Sequence, residues 1–483
     1  MSVFDWDVWQ WLAVFQHELL LFAGVFFLIG ALDDLAVDAV WLWLRARGRA
    51  RTPRVNRGEY QRRTLHDRAA IFIPAWQEDE VIGETIAHLL AVWPQDNLRL
   101  YVGIYRNDPA TLEAAMQGGR VLGGVGDPRL RLVIHDCAGP STKADCLNRL
   151  FQAMRDDERR MGQNFACVIF HDAEDMVDPA GLGLLDSAIA DGADFAQLPV
   201  EPLPQSGHRW MGSHYCEEFA EAHGKGMVVR SEIRAALPAA GVGCAIGRKA
   251  LEQLCQRHED GFPFARESLT EDYELGLAIG EQGGDCRFVR ARGEDDLLIA
   301  TRAYFPARLD HIVRQKTRWV HGIALQGWDR TGWSGGVIES WMRARDRRGP
   351  LTALVLTLGY TLLALTLVLA IAVSLGLAEG MPLGPELRTL LIINLVFFAW
   401  RVCFRFAFTA RNYGLAEGVY AVLRIPLTNV VAIMSGRRAV SAYSRTILGA
   451  AAQWDKTPHS FHPAQRGKIS TRPLTKAHGL ASG

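Results

Sequence analysis

Long apolar stretches lie near both ends of this chain, and they constrain its fold more than any other feature. The stretch from Trp9 to Leu32 carries one charged residue, Glu18, and the stretch from Leu351 to Ala378 carries none. A third, from Thr389 to Ala410, is interrupted by two arginines. A helix needs about 20 such residues to cross the hydrocarbon core. The sequence therefore predicts three spanning helices, the first a retained anchor because no small-residue cleavage site follows it.

Charge patterning gives these helices an orientation. Eight arginines lie between Arg45 and Arg63, directly after the first apolar stretch. Basic residues flanking a span favour the cytoplasmic side. We therefore expect a multi-pass membrane protein with its N-terminus outside and its long middle section in the cytoplasm.

The C-terminal apolar region leaves two questions open. Arg401 and Arg405 are four residues apart on one helix face, so they either snorkel to the interface or line a polar path for a glycan or lipid phosphate. The stretch from Gly414 to Met434 contains two charges and a proline, which favours an interfacial or re-entrant helix over a fourth span.

Charge and cysteine usage exclude some functions. The 53 basic and 53 acidic side chains balance, and no local basic patch with a reading motif suggests a nucleic-acid partner. The eight cysteines form no close CxxC pair and no four-ligand metal spacing, as expected of a reducing compartment.

Short apolar runs alternate with amphipathic stretches in the middle of the chain. This alternation predicts an α/β fold with a mostly parallel sheet, whose functional residues follow the carboxyl ends of the strands. The strand-like runs are AAIFIPAW, LRLYVGIY, LRLVIH, FACVIFHD and DFAQLPV.

The segment HDAED follows one of these strands. Asp172 and Glu174 are two residues apart, so their carboxylates point to one side and can share a divalent cation with a diphosphate. The alternative is a solvated loop or a helix cap.

The segment TED opens a helix-like run about a hundred residues later. Its carboxylates, on Glu271 and Asp272, suit either a helix cap or a general base that takes a proton from an attacking hydroxyl.

Three residues of RQKTRW fall on one helix face. Gln315, Arg318 and Trp319 there combine an amide, a guanidinium that suits a diphosphate and a ring that suits a sugar face. Interfacial anchoring of Trp319 and snorkelling of Arg318 are the alternatives. Lys143, after the third strand, is either a solvent-facing charge or a phosphate ligand.

Taken in order, these segments resemble the motif series of family 2 glycosyltransferases over roughly residues 69 to 330. The QxxRW-type element makes the chain similar to the membrane polysaccharide synthases of that family. LDDLAVD, HDAED and a C-terminal WDKTPH resemble, more narrowly, the bacterial phage-adsorption protein B group. The series comprises IPAWQEDE, RND, STKADCLN, HDAED, GVGCAIGRKAL, LTEDYELG and RQKTRW.

The resemblance implies a GT-A fold, a UDP-sugar donor, Mg2+ or Mn2+ and an inverting displacement in the bacterial inner membrane. It implies Asp272 as catalytic base, with Glu271 beside it. The roles that it implies for the other positions are base and ribose contacts for Glu78 and Asp108, diphosphate contacts for Lys143, Asp172, Gln315 and Arg318, metal ligation for Asp172 and Glu174, and acceptor contacts for Trp319 and Cys244.

Two departures from the family pattern affect the donor site. The acidic pair expected after the second strand is RNDPAT here, so Asp108 stands alone as the base contact. The metal motif reads DAE instead of DAD, which keeps the charge on a longer side chain.

The expected function is extension of a surface polysaccharide or exopolysaccharide from a UDP-sugar. Transfer of one sugar to a polyprenyl-phosphate or other lipid-linked acceptor is an alternative, as is a catalytically silent scaffold or receptor. Three spans are few for export, so export proteins or a homo-oligomer are expected partners. The expected organisation is an N-terminal transmembrane helix at 1–44, a basic linker at 45–65, a GT-A domain at 66–330, a membrane region with two spans and an interfacial helix at 331–440, and a cytosolic tail at 441–483.

Overall fold

A computed structural model describes residues 7–120, 126–333, 335–380, 382–449 and 462–464. The WDKTPH segment and most of the expected tail lie outside these residues. The strands are β1 Ala69–Ala75, β2 Leu98–Tyr105, β3 Leu130–His135, β4 Cys167–Phe170, β5 Phe195–Gln197, β6 Val200–Pro202, β7 Cys244–Gly247, β8 Cys286–Phe288 and β9 Thr301–Ala303.

The helices alternate with strands in the middle of the chain and follow one another at its C-terminal end. They are α1 Val8–Ala46, α2 Arg57–Arg62, α3 Ile82–Val92, α4 Pro109–Gly118, α5 Lys143–Met161, α6 Gly181–Ala190, α7 His214–Glu221, α8 Met227–Glu232, α9 Arg248–Cys255, α10 Glu271–Glu281, α11 Leu309–Trp319, α12 Gly327–Thr331, α13 Val337–Arg347, α14 Gly349–Ser374, α15 Pro385–Tyr413, α16 Leu415–Leu423 and α17 Ile425–Ile447.

Seven strands form one mixed sheet in the order β3-β2-β1-β4-β7-β5-β8. The neighbours from β3 to β4 are parallel, and β7 runs antiparallel to both β4 and β5. Two further strands, β6 and β9, pair in parallel beside it. The α/β class and the mostly parallel sheet predicted from the sequence are confirmed, and the antiparallel β7 is an addition.

The sheet is buried on both faces because helices cover each side. Alternate residues of β1 show this: Ile71 and Ile73 belong to one apolar cluster, whereas Ala70 and Phe72 belong to the other. A strand covered on both faces has no polar side, which is why β1 reads as a continuous apolar run. The carboxyl ends of the parallel strands are left open at one edge, where polar residues follow them.

Within the part of the chain that the structure describes, three helices are long and apolar enough to cross a membrane: α1, α14 and α15. The three predicted spans are therefore found as helices of the required length and composition. With 39 residues, α1 is about 58 Å long and extends well beyond a hydrocarbon core of about 30 Å. Its C-terminal part reaches the α/β domain.

Ion pairs fasten the end of α1 to the rest of the chain. Asp33 and Asp34 accept hydrogen bonds from Arg345 and Arg348, which lie just before α14. Arg345 donates to Asp34 at 3.0 Å, and Arg348 donates to Asp33 at 2.9 Å and to Asp34 at 3.0 Å. Asp38, which is fully buried, contacts Lys225. These pairs hold the first helix against the segment that precedes the second.

The structure also shows what Arg401 and Arg405 contact. Arg401 donates to Glu221 at 2.7 Å, and Arg405 donates to Glu217 at 2.9 Å. Both glutamates belong to α7 of the α/β domain. The two arginines therefore dock α15 onto that domain, a role that neither sequence interpretation included.

The fourth apolar stretch forms α16 and α17, which are bent by 53° at Arg424. This is the geometry of a broken span or a re-entrant loop. Pro426 lies in the first turn of α17, where its missing N–H costs no helical hydrogen bond.

Candidate functional site

A cavity of about 120 Å³ opens at the carboxyl edge of the sheet. It lies between the segment after β4, the start of α10, the segment after β9 and the end of α11. Most of the residues singled out in the sequence line it, although they come from four separate segments. These residues are Lys143, Asp172, Glu174, Glu271, Asp272, Gln315, Arg318 and Trp319.

Lys143, the first residue of α5, is the positive centre of this cavity. Its Nζ donates to Asp172 Oδ1 at 2.6 Å. Burial disfavours its charge, but Asp172, Glu271 and Asp272 together outweigh burial and raise the pKa of Lys143. The ammonium therefore stays protonated, with one carboxylate bonded to it and the charges of two more stabilising it.

The HDAED loop contributes three carboxylates to the cavity wall and uses one of them, Asp175, for its own structure. Asp175 is buried, and its Oδ2 accepts a hydrogen bond from Asp172 N at 3.0 Å and contacts His171 Nδ1 at 2.9 Å. Burial raises the pKa of Asp175. Asp172 and Glu174 are left partly exposed on the cavity wall.

Glu271 and Asp272 form the first turn of α10. Burial, with the neighbouring carboxylate, raises the pKa of Glu271, and burial raises that of Asp272, while Lys143 opposes both shifts. Glu271 is 8% exposed, whereas Asp272 is more accessible and its Oδ1 accepts from Tyr273 N at 2.8 Å. Asp272 is therefore the carboxylate of the pair that a substrate can reach.

The backbone at Gly241 fixes the position of the Asp272 carboxylate. Gly241 has φ +76°, and a Cβ at this position would lie against Asp272 Oδ2. We expect Gly241→Ala to displace Asp272 and lower turnover about 100-fold, because a shift of about 1 Å at a reacting group has an effect of this order. Steady-state kinetics of the purified variant measure it.

Gly261→Ala is the matched control for this prediction. Gly261 has φ +68°, and a Cβ at this position would meet open space, so the alanine carries the same backbone strain without the collision. Equal losses of activity in the two variants would mean that strain, and not the position of Asp272, is responsible.

The QxxRW element forms the last turns of α11 and faces the cavity as one surface. Gln315 is buried, and its Oε1 accepts from Tyr215 OH at 2.6 Å. Arg318 Nε is buried and has no hydrogen-bond partner among the described residues. Trp319 packs edge to face against Tyr215, with ring centroids 6.0 Å apart. A buried guanidinium N–H without an acceptor favours an anionic ligand here.

Glu78 and Asp108 do not line this cavity but lie together at the ends of β1 and β2. Asp108 Oδ2 accepts from Gln77 N at 2.6 Å, and Oδ1 accepts from Thr111 N at 3.3 Å. Glu78 N donates to Thr111 Oγ1 at 2.9 Å. Asp108 therefore joins the β1 loop to the start of α4, and its contacts with the protein are structural.

Cys244 does not lie where an acceptor could touch it. Its side chain is 1% exposed and belongs to an apolar core cluster beneath the cavity. Burial, reinforced by the charge of Asp272, raises the pKa of its thiol. The reason is that both faces of β7 are covered, since Cys244 packs in one apolar cluster and Ala245, on the opposite face, packs in the other.

Four aromatic and apolar residues of the cavity wall were missed in the sequence. Phe219 comes from α7, and Tyr304, Phe305 and Pro306 follow β9. The Phe219 and Phe305 rings pack 5.2 Å apart. In the sequence, only the YFP triplet after β9 could have indicated an aromatic wall. The position of Phe219 could not be predicted, because α7 reaches the cavity through tertiary packing. Together with Trp319 they give the cavity an aromatic side that suits a sugar ring.

The described residues bring three metal-type ligands within 4.8 Å of one another at a different place. Cys137 Sγ lies 3.0 Å from His135 Nδ1, and His135 Nε2 lies 3.0 Å from Asp145 Oδ2. Cys137 N also donates to His135 Nδ1 at 3.3 Å. The three groups bond one another, and they share no residue with the carboxylate cavity.

Comparison with known proteins finds a family and two curated relatives. Residues 66–322 match the family "Glycosyltransferase like family 2". The chain is 31% identical over 502 residues to "Bacteriophage adsorption protein B" of Escherichia coli K12 and to "Bacteriophage N4 adsorption protein B" of Escherichia coli O157:H7. The match covers 97% of this chain and 66% of each relative, so the chain spans just under two thirds of their length.

Solved structures give more distant likenesses. A mannosyltransferase from Pyrobaculum calidifontis, in complex with GDP-Man and Mn2+, is 15% identical with a TM-score of 0.44, over 83% of this chain and 98% of that one. Glucosyl-3-phosphoglycerate synthase from Mycobacterium tuberculosis, with Mg2+ and UDP, is 18% identical with a TM-score of 0.36, over 59% of this chain and 86% of that one.

Proposed function

This chain belongs to glycosyltransferase family 2, and we propose that it transfers a sugar from a UDP-sugar donor to a growing surface glycan. The α/β sheet is the fold class expected for this family, and a GT-A type of that class is part of the proposal. One observation supports the proposal above the others: the cavity is lined by Lys143, five carboxylates and Arg318, whose buried Nε has no hydrogen-bond partner among the described residues. A nucleotide diphosphate supplies the anion that this arrangement favours.

The proposed reaction is a single displacement at the anomeric carbon. An acceptor hydroxyl oxygen forms a bond to C1 while the bond from C1 to the diphosphate oxygen breaks, and the diphosphate leaves with the electron pair. Asp272 accepts the proton of the hydroxyl, because it is the reachable carboxylate of the pair. Attack from the face opposite the leaving group inverts the anomeric centre.

Two side chains bind the departing diphosphate in this proposal. The Arg318 guanidinium donates to its oxygens, and the Lys143 ammonium adds a second positive charge beside Asp172. Gln315 is held by Tyr215, which places the QxxRW face before any ligand arrives. The groups that stabilise the developing charge are therefore oriented in advance.

Asp172 and Glu174 would hold the divalent cation in this proposal. Both are carboxylates on the cavity wall, and an all-oxygen donor set is the one that Mg2+ and Mn2+ prefer. The bound cation would neutralise charge on the leaving diphosphate.

The proposed acceptor side is the aromatic wall formed by Phe219, Phe305 and Trp319. Flat apolar rings suit the apolar face of a sugar, and a glycan end can rest there without a strong charge partner. This wall supports a glycan acceptor, and the span-length helices α14 and α15 support a reaction next to a membrane. The expected location is the bacterial inner membrane, with the α/β domain in the cytoplasm.

Release of UDP across a panel of UDP-sugars tests the proposed function. The chain is purified in detergent and assayed with Mg2+, with Mn2+ and with a chelator. Release from one sugar, lost on chelation, supports metal-dependent transfer and identifies the donor. If no nucleotide sugar, GDP-linked ones included, binds or turns over, the scaffold alternative replaces the enzyme.

A variant of Arg318 tests the diphosphate contact separately. We expect Arg318→Lys to raise KM for the donor about 10-fold to 100-fold, because a lysine loses the two-pronged geometry of the guanidinium. Arg308→Lys, at an exposed position just before α11, is the matched control and should leave KM unchanged. An unchanged KM in Arg318→Lys would remove Arg318 from the donor site.

A further inference from the structure

A second cavity, of about 630 Å³, lies where two spanning helices meet the α/β domain. Trp41 near the end of α1 and Phe408 near the end of α15 form its apolar wall, with ring centroids 5.3 Å apart. It shares no lining residue with the carboxylate cavity. Its volume is within the range of small-molecule sites.

Arginines dominate the lining of this second cavity. Asp296 is the one carboxylate among the described lining residues, and it accepts from Arg411 at 2.7 Å and from Arg54 at 3.1 Å. A single carboxylate therefore pairs with two guanidinium groups. The remaining arginines of the lining add positive charge that no lining carboxylate balances among the described residues. The arginines of the lining are Arg45, Arg51, Arg54, Arg290, Arg292 and Arg411.

Arg290 shows the imbalance most clearly. Its Nη1 donates to Thr52 Oγ1, whereas its Nε is buried without a hydrogen-bond partner among the described residues. Burial and the charges of Arg292 and Arg411 lower the pKa of Arg290 to about 10. The charge of Glu201 opposes this shift in the pKa of Arg290, but Glu201 is already paired with Arg302 at 2.8 Å. A buried donor among like charges is stabilised by an anion that accepts from it.

We propose that this cavity binds the phosphate group of an anionic phospholipid from the adjoining membrane leaflet. Guanidinium groups donate two parallel hydrogen bonds to a phosphate, and several of them converge here. A soluble phosphate compound offers the same group. The position at the ends of two spanning helices and the wall of Trp41 and Phe408 favour the lipid, because aromatic rings of this kind lie at the headgroup level.

Native mass spectrometry of the full chain in detergent tests this site without any assay of sugar transfer. The protein is stripped of lipid and titrated with phosphatidylglycerol, phosphatidylcholine or inorganic phosphate. We expect phosphatidylglycerol to bind more tightly than phosphatidylcholine. Arg290→Gln and Arg51→Gln should each weaken it about fivefold, the effect of one basic residue near an anionic lipid.

Arg47→Gln is the matched control. Arg47 lies at the same end of α1, packs over Trp43 with its guanidinium carbon 4.5 Å from the ring centroid, and is outside the cavity lining. Because Arg51 is exposed, its variant tests the site even if Arg290→Gln fails to fold. Equal binding in all variants, or equal binding of the two lipids, would overturn the proposal. Binding of inorganic phosphate as tight as that of phosphatidylglycerol would overturn the lipid assignment.

Discussion

Replacing Asp272 by asparagine is expected to lower turnover about 1000-fold while UDP binding stays within a few-fold of the parent. Asparagine keeps the size of the side chain and can still accept from Tyr273 N, the bond that now measures 2.8 Å. It cannot take the proton of an attacking hydroxyl, and general base catalysis contributes about 10²-fold to 10⁴-fold. Because Arg318 and Lys143 are unchanged, the diphosphate contacts remain.

Two measurements separate this effect from misfolding. Calorimetry with UDP reports whether the donor site is intact, and UDP release with the preferred sugar reports chemistry. Asp310→Asn is the matched control, since Asp310 is an exposed aspartate in the first turn of α11 that contacts Arg308. Turnover close to the parent in Asp272→Asn would remove Asp272 as the base, and Glu271→Gln would then be the variant to measure.

Replacing Glu217 by glutamine is expected to destabilise the chain by about 3–5 kcal/mol. Glu217 Oε2 accepts from Arg424 Nη2 at 2.7 Å, and Oε1 accepts from Arg405 at 2.9 Å. The side chains of Glu217 and Arg424 are both fully buried. Without the Glu217 carboxylate, the positive charges of two guanidinium groups are less well balanced. These charges lie where α7 contacts α15 and the bend before α17.

Thermal unfolding in detergent, followed by loss of intrinsic fluorescence or of soluble protein, measures this change. The double variant Glu217→Gln with Arg405→Met should be more stable than Glu217→Gln alone, because Arg405 pairs with Glu217, whereas Arg424 keeps a second carboxylate, Glu417, at 2.7 Å. Asp310→Asn again serves as control, and an exposed pair of this kind should change stability by less than about 1 kcal/mol. If Glu217→Gln unfolds at the same temperature as Asp310→Asn, this buried pair does not hold α7 to α15 and α17.

The helices of span length and the sheet were predictable because each depends on a pattern within a short segment. One uncharged run of more than 20 residues identifies α14. The runs AAIFIPAW and LRLYVGIY form β1 and β2, and the observed strand ends differ from the ends of these runs by one residue at most. The carboxyl ends of parallel strands meet at one edge of a sheet, so the sequence alone predicts Lys143 and Asp172 in one site. The short strands β8 and β9 were not predicted, since three residues carry too little periodicity.

The direction of a side chain could not be read from the sequence alone. Cys244 was expected to contact the acceptor, yet its side chain is buried, as is that of Ala245 on the opposite face of β7. Asp108 was expected to contact the nucleotide, and the structure shows both of its oxygens accepting backbone N–H groups. A motif gives the position of a residue in the chain, whereas the direction of its side chain depends on neighbours from distant segments.

The amino-acid sequence by itself determined the α/β class, the family, three helices of span length and the residue types of the carboxylate cavity, because each depends on composition or on spacing within a short segment. Tertiary structure alone decided which charges meet across the chain: Arg405 with Glu217, Asp38 with Lys225, and the arginines of the second cavity. Coulomb interactions depend on distance in space and on burial, and neither can be read from separations of more than 100 residues along the chain.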